Sequence, residues 1–293
     1  MRMKQFTYPE NVYPFRHHSM TVEGNKIHYI DEGKGDTILF CHPPVSSSFM
    51  YRHMIVILSK YFRCIAIDFP GFGKSQAANE YTHSIKSQSE IFEKVLIELK
   101  LTSVYFLMQE VGGHAGLSVF IKHPEWLKGI ILTDTIIFPV SQYPRILGML
   151  KFVNGSLFNF FNTDFNLLIR AMTRFGFRKR KLSKDERQTY KAMFNTKQIR
   201  RTSTKMLYQL VEEEFLLSQI QKTFETSFNR FPTLLIYGEK DPLAKFKIPQ
   251  RIKSILSDSE LYWIKGETHF PHEGAPEEMS KLIINWLNRK KGN

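Results

Sequence analysis

The 293-residue sequence predicts an α/β fold, with a mostly parallel central sheet covered by helices and interrupted by an all-helical insertion. Three observations predict it. Short apolar runs at residues 37–41, 63–69, 105–109 and 129–133 alternate with helically spaced segments, the rhythm of parallel strands joined by crossover helices. That rhythm stops near Pro139 and resumes at Phe231, and the residues between hold helical patterns without a clear strand. One run, 105–109, leads directly into Glu110-Val111-Gly112-Gly113 and a helix-like segment at 114–122. This is the layout of a sharp strand–turn–helix bend that raises one side chain above the sheet.

In chain order, residues 20–31 alternate around Gly24-Asn25 and read as a hairpin. Run 37–41 enters the loop His42-Pro43-Pro44-Val45, and 49–60 has helical spacing. Strand 63–69 feeds Pro70-Gly71-Phe72-Gly73-Lys74-Ser75. This loop lacks both the glycine spacing and the helix directly behind it that a phosphate-binding loop needs. Segment 85–99 is an amphipathic helix, and strand 129–133 ends at Asp134. Inside the insertion, Ser183-Lys184-Asp185-Glu186 is a capping box that opens a helix. Strand 231–237 then ends in Gly238-Glu239-Lys240-Asp241, followed by a helix at 249–256, a last strand at 260–264 and a closing helix at 277–289. The expected division is a core of 1–138 and 230–293 with a cap of 139–229.

Composition narrows the class. Hydrophobic residues are 42% and charged residues 24%, values of an ordinary globular chain. No apolar run approaches the roughly 18 residues of a membrane span, and the N-terminus carries no apolar leader. Cys41 and Cys64 both fall in expected core strands, so they read as small hydrophobes in a cytoplasmic protein and not as a disulfide framework. The net charge of +13 is carried by lysines and arginines that read as spread along the chain, with no nucleic-acid signature. Weak contact with an acidic surface is the most it implies, and Arg178-Lys179-Arg180-Lys181 reads as a solvated loop. A monomer or a homodimer is expected, with no cofactor, and no metal-ligand spacing is present.

Taken in one order, these motifs resemble the haloalkane dehalogenase and epoxide hydrolase branch of the α/β-hydrolase fold. Asp68-Phe69-Pro70-Gly71-Phe72-Gly73-Lys74-Ser75 is similar to that branch's Asp-x-Pro-Gly-x-Gly-x-Ser loop, and Gln109 to Gly113 looks like its Gln-Asp-Trp-Gly-Gly elbow. His123-Pro124-Glu125 and His269-Phe270 fit as well, and the helical insertion resembles the branch's cap. The resemblance implies a carboxylate nucleophile at Glu110, a histidine base at His269, and an acid that orients it, either Asp241 or Asp134.

The sequence also departs from the branch. Glu110 stands where an Asp is usual, one methylene longer. Val111 stands where the branch places a halide-binding Trp, and Pro44 where many dehalogenases place an Asn. Pro44 also removes a backbone N–H from the expected oxyanion site, leaving that of Val111. His42 is expected to pack at the strand end, and Phe138 to border the substrate; Tyr143, Tyr190 and Tyr208 are cap tyrosines that read as packing. The cap phenylalanines, among them Phe152, Phe158 and Phe165, suggest an apolar roof. Haloalkane dehalogenation is disfavoured. Hydrolysis of a small apolar ester or epoxide leads, with two readings left open: cofactor-free acid/base chemistry by Glu110 and His269, and a non-catalytic binding protein on a hydrolase scaffold.

Overall fold

A computed structural model describes residues 6–291. Eight strands form one sheet: β1 (His17–Val22), β2 (Asn25–Glu32), β3 (Thr37–Cys41), β4 (Arg63–Ile67), β5 (Val104–Gln109), β6 (Leu127–Thr133), β7 (Thr233–Gly238) and β8 (Ser259–Ile264). Their order is β1-β2-β4-β3-β5-β6-β7-β8. Only the β1–β2 and β2–β4 pairings are antiparallel. The hairpin turn falls one residue earlier than its Gly24-Asn25 signal: Glu23 and Gly24 both take positive φ, the conformation a tight two-residue turn requires.

The middle strands are buried along their whole length, since helices cover both faces. These are α1 (Arg52–Leu58), α2 (Ile85–Glu98) and α3 (Glu110–Lys122), with the closing helix α13 (Pro276–Lys291) against α1. Between β6 and β7 the chain is mostly helical: α4 (Pro144–Asn154), α5 (Ser156–Phe165), α6 (Leu167–Phe175), α7 (Lys184–Met193), α8 (Lys197–Glu212) and α9 (Glu214–Thr226), with short 3-10 turns and loops at 134–139 and 176–183. The capping box at Ser183 and Glu186 opens α7 as its sequence signalled. Past β7 come α10 (Pro242–Lys245), α11 (Ile248–Ile255) and, after β8, α12 (Pro271–Gly274).

Two sequence readings need correction. Phe152, Phe160, Phe161 and Phe165 are exposed, so they do not roof an interior space. Helical spacing places them on one stripe but does not say which side of that stripe meets water. Arg178–Lys181 is also no simple solvated loop. The backbone N–H groups of Arg178 and Lys179 donate to the buried Glu267 carboxylate, and Arg180 pairs with Glu186 and, at 3.0 Å, with Glu273.

Candidate active site

β5 ends at Gln109 in extended backbone, and Glu110 follows with φ +48°, in the left-handed region where a non-glycine residue is strained by about 1–3 kcal/mol. The bend is possible because Gly112 and Gly113, just beyond Val111, carry no side chain. A Cβ on Gly112 would lie 1.9 Å from the carbonyl oxygen of His42, and one on Gly113 would lie 2.4 Å from Met108 Cβ. His114, one helical turn on, places Nδ1 2.9 Å from the Glu110 carbonyl oxygen and Nε2 2.7 Å from that of Ile136. Burial pushes its pKa down. It pins the elbow from behind and stands clear of the reacting face.

The elbow meets the loop after β8. Glu110 Oε1 lies 2.5 Å from His269 Nε2, and Asp241 Oδ2 lies 2.6 Å from His269 Nδ1. Gln109 fastens the two loops together by donating its amide N–H to the His269 carbonyl oxygen at 2.8 Å. The second Glu110 oxygen, Oε2, is buried and without a hydrogen-bond partner. Side-chain exposure of 14% for Glu110 and 25% for His269 leaves the pair open to solvent. Val111 lies in the first turn of α3, where backbone N–H groups have no carbonyl within the helix to meet.

Charge settles around the imidazole. Burial alone would lower the His269 pKa, but Asp241 and then Glu110 outweigh it and hold the ring well above its ordinary value, as an imidazolium donating from both nitrogens. Burial works against ionised Asp241 too, and the charge and hydrogen bond of His269 overcome it and pull its pKa down. Asp134 is the opposite case. Burial first, and the Asp241 charge second, push it well above the usual carboxylate range. Its Oδ1 accepts the Gly238 N–H at 3.0 Å. Both acids that the sequence left open therefore sit at the histidine, one charged and one neutral. Ligand atoms of Asp134, Asp241 and His269 lie within 4.8 Å of one another. A neutral acid and a protonated imidazole are nonetheless poor metal ligands.

The other candidates fall outside this line. His42 is buried, accepts the Phe69 N–H at Nε2 and so donates from Nδ1 to the Pro43 carbonyl oxygen, a structural role. Pro44 is buried in the same loop. Phe138 is buried beneath the Arg251 guanidinium, 3.9 Å from its ring centroid. Tyr190 donates to Glu273 at 2.5 Å, and Tyr143 accepts from Arg251 at 2.8 Å. Tyr208 lines a groove of about 860 Å³ between α5, α8 and the loop at Tyr81–His83, whose walls include neither Glu110 nor His269. His272 is fully buried beside Tyr51 with neither ring nitrogen bonded.

The site missed one group that the sequence could have shown only weakly. Glu267, two residues before His269, accepts the N–H groups of Arg178, Lys179 and Thr268, and the Phe270 N–H donates to the Gly176 carbonyl at 2.9 Å. The histidine loop is thereby bolted to the helical insertion. A lone Glu beside a glycine gives no hint of such a partner.

Residues 36–276 match the model of the α/β hydrolase fold family, and the chain belongs to that family. Within it, the chain falls in the haloalkane dehalogenase-like branch and is an enzyme of the hydrolase class. It is 27% identical over 280 residues to haloalkane dehalogenase 2 of Mycobacterium bovis, covering 95% of this chain and 97% of that one. It is 26% identical to a cis-3-alkyl-4-alkyloxetan-2-one decarboxylase of Shewanella oneidensis, covering 95% and 90%. Among solved structures, a haloalkane dehalogenase from Bradyrhizobium elkani superposes with a TM-score of 0.86 at 19% identity, over 95% of this chain and 99% of the other. Among the described residues, no helix is long and apolar enough to cross a membrane.

Proposed function

We propose that the chain hydrolyses a small apolar substrate, an epoxide or ester, by covalent catalysis at Glu110, with His269 and Asp241 as its proton-handling pair. Residues 139–229 would serve as the cap over a core of 1–138 and 230–293. The observation that carries this reading is the divided carboxylate of Glu110: one oxygen rests on His269, and the other is buried without a partner on a strained bend. An unpaired buried oxygen of this kind costs about 1–3 kcal/mol or more, which a substrate atom would relieve.

The steps balance with these groups alone. A Glu110 oxygen bonds to the ring carbon of an epoxide, or to the alkyl carbon of an ester, as that carbon's bond to the leaving oxygen breaks, and the leaving oxygen takes the Nε2 proton of His269. The neutral imidazole then removes a proton from water, whose oxygen adds to the ester carbonyl. Collapse of the adduct returns that proton to the departing alcohol, and the acid left on Glu110 reprotonates His269. Asp241 keeps the ring in place and stabilises each imidazolium form. A leaving oxygen that needs a proton suits this resting state. A halide does not need one, and Val111 and Pro44 in place of the Trp and Asn the branch uses leave it without those side-chain N–H donors.

Turnover in ¹⁸O-labelled water tests the reading: peptide mass spectrometry should find heavy oxygen in the Glu110 carboxylate. The direct 2.5 Å contact of Glu110 with His269 favours a second reading, acid/base chemistry without a water-derived product, in keeping with the decarboxylase relative. Product formed without gain of water, and with Glu110 unlabelled, would select it.

A further inference from the structure

We propose that the face formed by α4, α5 and α6 docks on an anionic lipid surface. Two independent observations meet there. The first is apolar exposure. Leu157, Phe160 and Phe175 expose 62% to 70% of their surface, and Met149, Phe152 and Phe165 more than half. Phe152 packs on Phe158 with ring centroids 5.5 Å apart. Phe158 in turn lines an open, almost wholly apolar groove of about 470 Å³ with Val153, Leu168 and Phe175. The apolar surface is therefore continuous across three helices, and large exposed patches of this kind mark interaction sites.

The second observation is charge, and it corrects the even spread read from the sequence. Residues 144–205 carry fifteen Lys and Arg against three Asp and Glu, a net +12 out of +13 for the chain, and within it the three helices of the face, 144–175, hold four against one, a net +3. Arg170 and Arg174 line the same apolar groove, and Lys151 stands on α4 beside Phe152. Among the described residues, no carboxylate pairs with Lys151, Arg170 or Arg174. Aromatic and aliphatic side chains ringed by unpaired cations are what an interfacial helix presents to acidic headgroups and the acyl layer beneath. Charge also disfavours the other apolar occupant, a second copy of the chain, because two faces that each present Lys151, Arg170 and Arg174 would meet.

Helices of nine to eleven residues are too short to span a bilayer and would lie in its plane. The patch ends at the histidine loop, where Thr268 donates to the Phe175 carbonyl and Phe270 to that of Gly176. Docking does not depend on which reaction the site performs.

Vesicle flotation tests the proposal with the full chain. Vesicles of phosphatidylcholine mixed with phosphatidylglycerol should carry the protein up the gradient, phosphatidylcholine alone should not, and added salt should release it. The double variants Phe160→Ser/Phe161→Ser and Arg170→Gln/Arg174→Gln should each bind at least about tenfold more weakly while retaining their thermal melting transition. A Phe161→Trp variant supplies a readout that needs no loss of binding: its emission should shift to the blue and be quenched by lipid-borne quenchers only with anionic vesicles. Four results would overturn the proposal: no flotation with anionic vesicles, flotation unchanged in the Phe variant, tighter capture by a DNA duplex at equal salt, or a dimer in solution that the Phe variant dissolves.

Discussion

Two clusters of buried charge flank the segment from Glu267 to Glu273, and they are bonded in opposite ways. In one, Arg52 of α1 reaches Glu273 and Glu186, Arg180 joins both acids, Tyr190 donates to Glu273, and Ser183 N–H donates to Glu186 at 2.7 Å. Every carboxylate oxygen there has a donor. In the other, Glu110 spends one oxygen on His269 and leaves the second bare, on backbone that is itself strained. Acids met at every oxygen, even though Arg52 Nε has no partner, belong to a clamp that holds insertion to core. Incomplete bonding, kept at a cost, marks the place where something else is meant to bind.

The contrast breaks first at Glu110. Glu110→Gln keeps the shape and removes the charge, so turnover on any substrate that labels Glu110 should fall about 10⁴-fold or more, some 5 kcal/mol of barrier. Its unfolding free energy should move by less than about 1 kcal/mol, since the native oxygen was already half unpaired. The clamp should answer the other way. Arg52→Met strands two buried carboxylates and should cost about 3–5 kcal/mol in urea unfolding. A loss below about 1 kcal/mol there would mean that Arg180 alone suffices and that the cluster is no clamp.

A smaller effect sharpens the comparison. Glu110→Asp withdraws the carboxylate about 1.5 Å from Nε2, making room for a water between acid and imidazole. Breakdown of the ester should then quicken about tenfold to a hundredfold relative to its formation, read from single-turnover traces. An unchanged ratio would show that the direct Glu110–His269 contact does not hold water away.

The sheet and the elbow were legible because their signals are local. Alternating βα runs, two glycines after a strand and a histidine after the last strand each sit within a few residues, and the structure brings them together as read. What failed to show was anything decided by which way a face turns or by partners distant in sequence. The phenylalanines of α4 and α5 have helical spacing whether they point in or out. Arg180 gives no sign that it pairs with Glu273, 93 residues away. His272 is buried although Pro271 and Glu273 on either side of it say nothing about burial. Asp134 and Asp241 follow adjacent parallel strands, so either could reach the histidine, and no spacing tells a charged acid from a neutral one.

That last pair gives the smallest effect and the most direct test of the charges at the site. Asp134 is raised from an ordinary value of 3.8, so the folded chain keeps a proton that the unfolded chain releases. Its contribution to stability is full below 3.8 and is lost as pH rises through the folded value. Asp241, whose folded value is lowered, contributes above 3.8 and loses that contribution as pH falls. His269, raised from 6.5, contributes fully below 6.5 and loses it as pH climbs past its folded value. Asp134→Asn keeps an oxygen for the Gly238 N–H and an N–H to offer Asp241, and it cannot titrate. The unfolding free energy from urea titration should thus change by less than about 1 kcal/mol at acid pH. The variant should then gain on the parent as pH rises above 3.8, while the acid-side loss from Asp241 and the alkaline loss from His269 persist. Parallel profiles for parent and variant would mean that Asp134 is charged in the folded chain, and that the imidazolium faces three carboxylates where two are proposed.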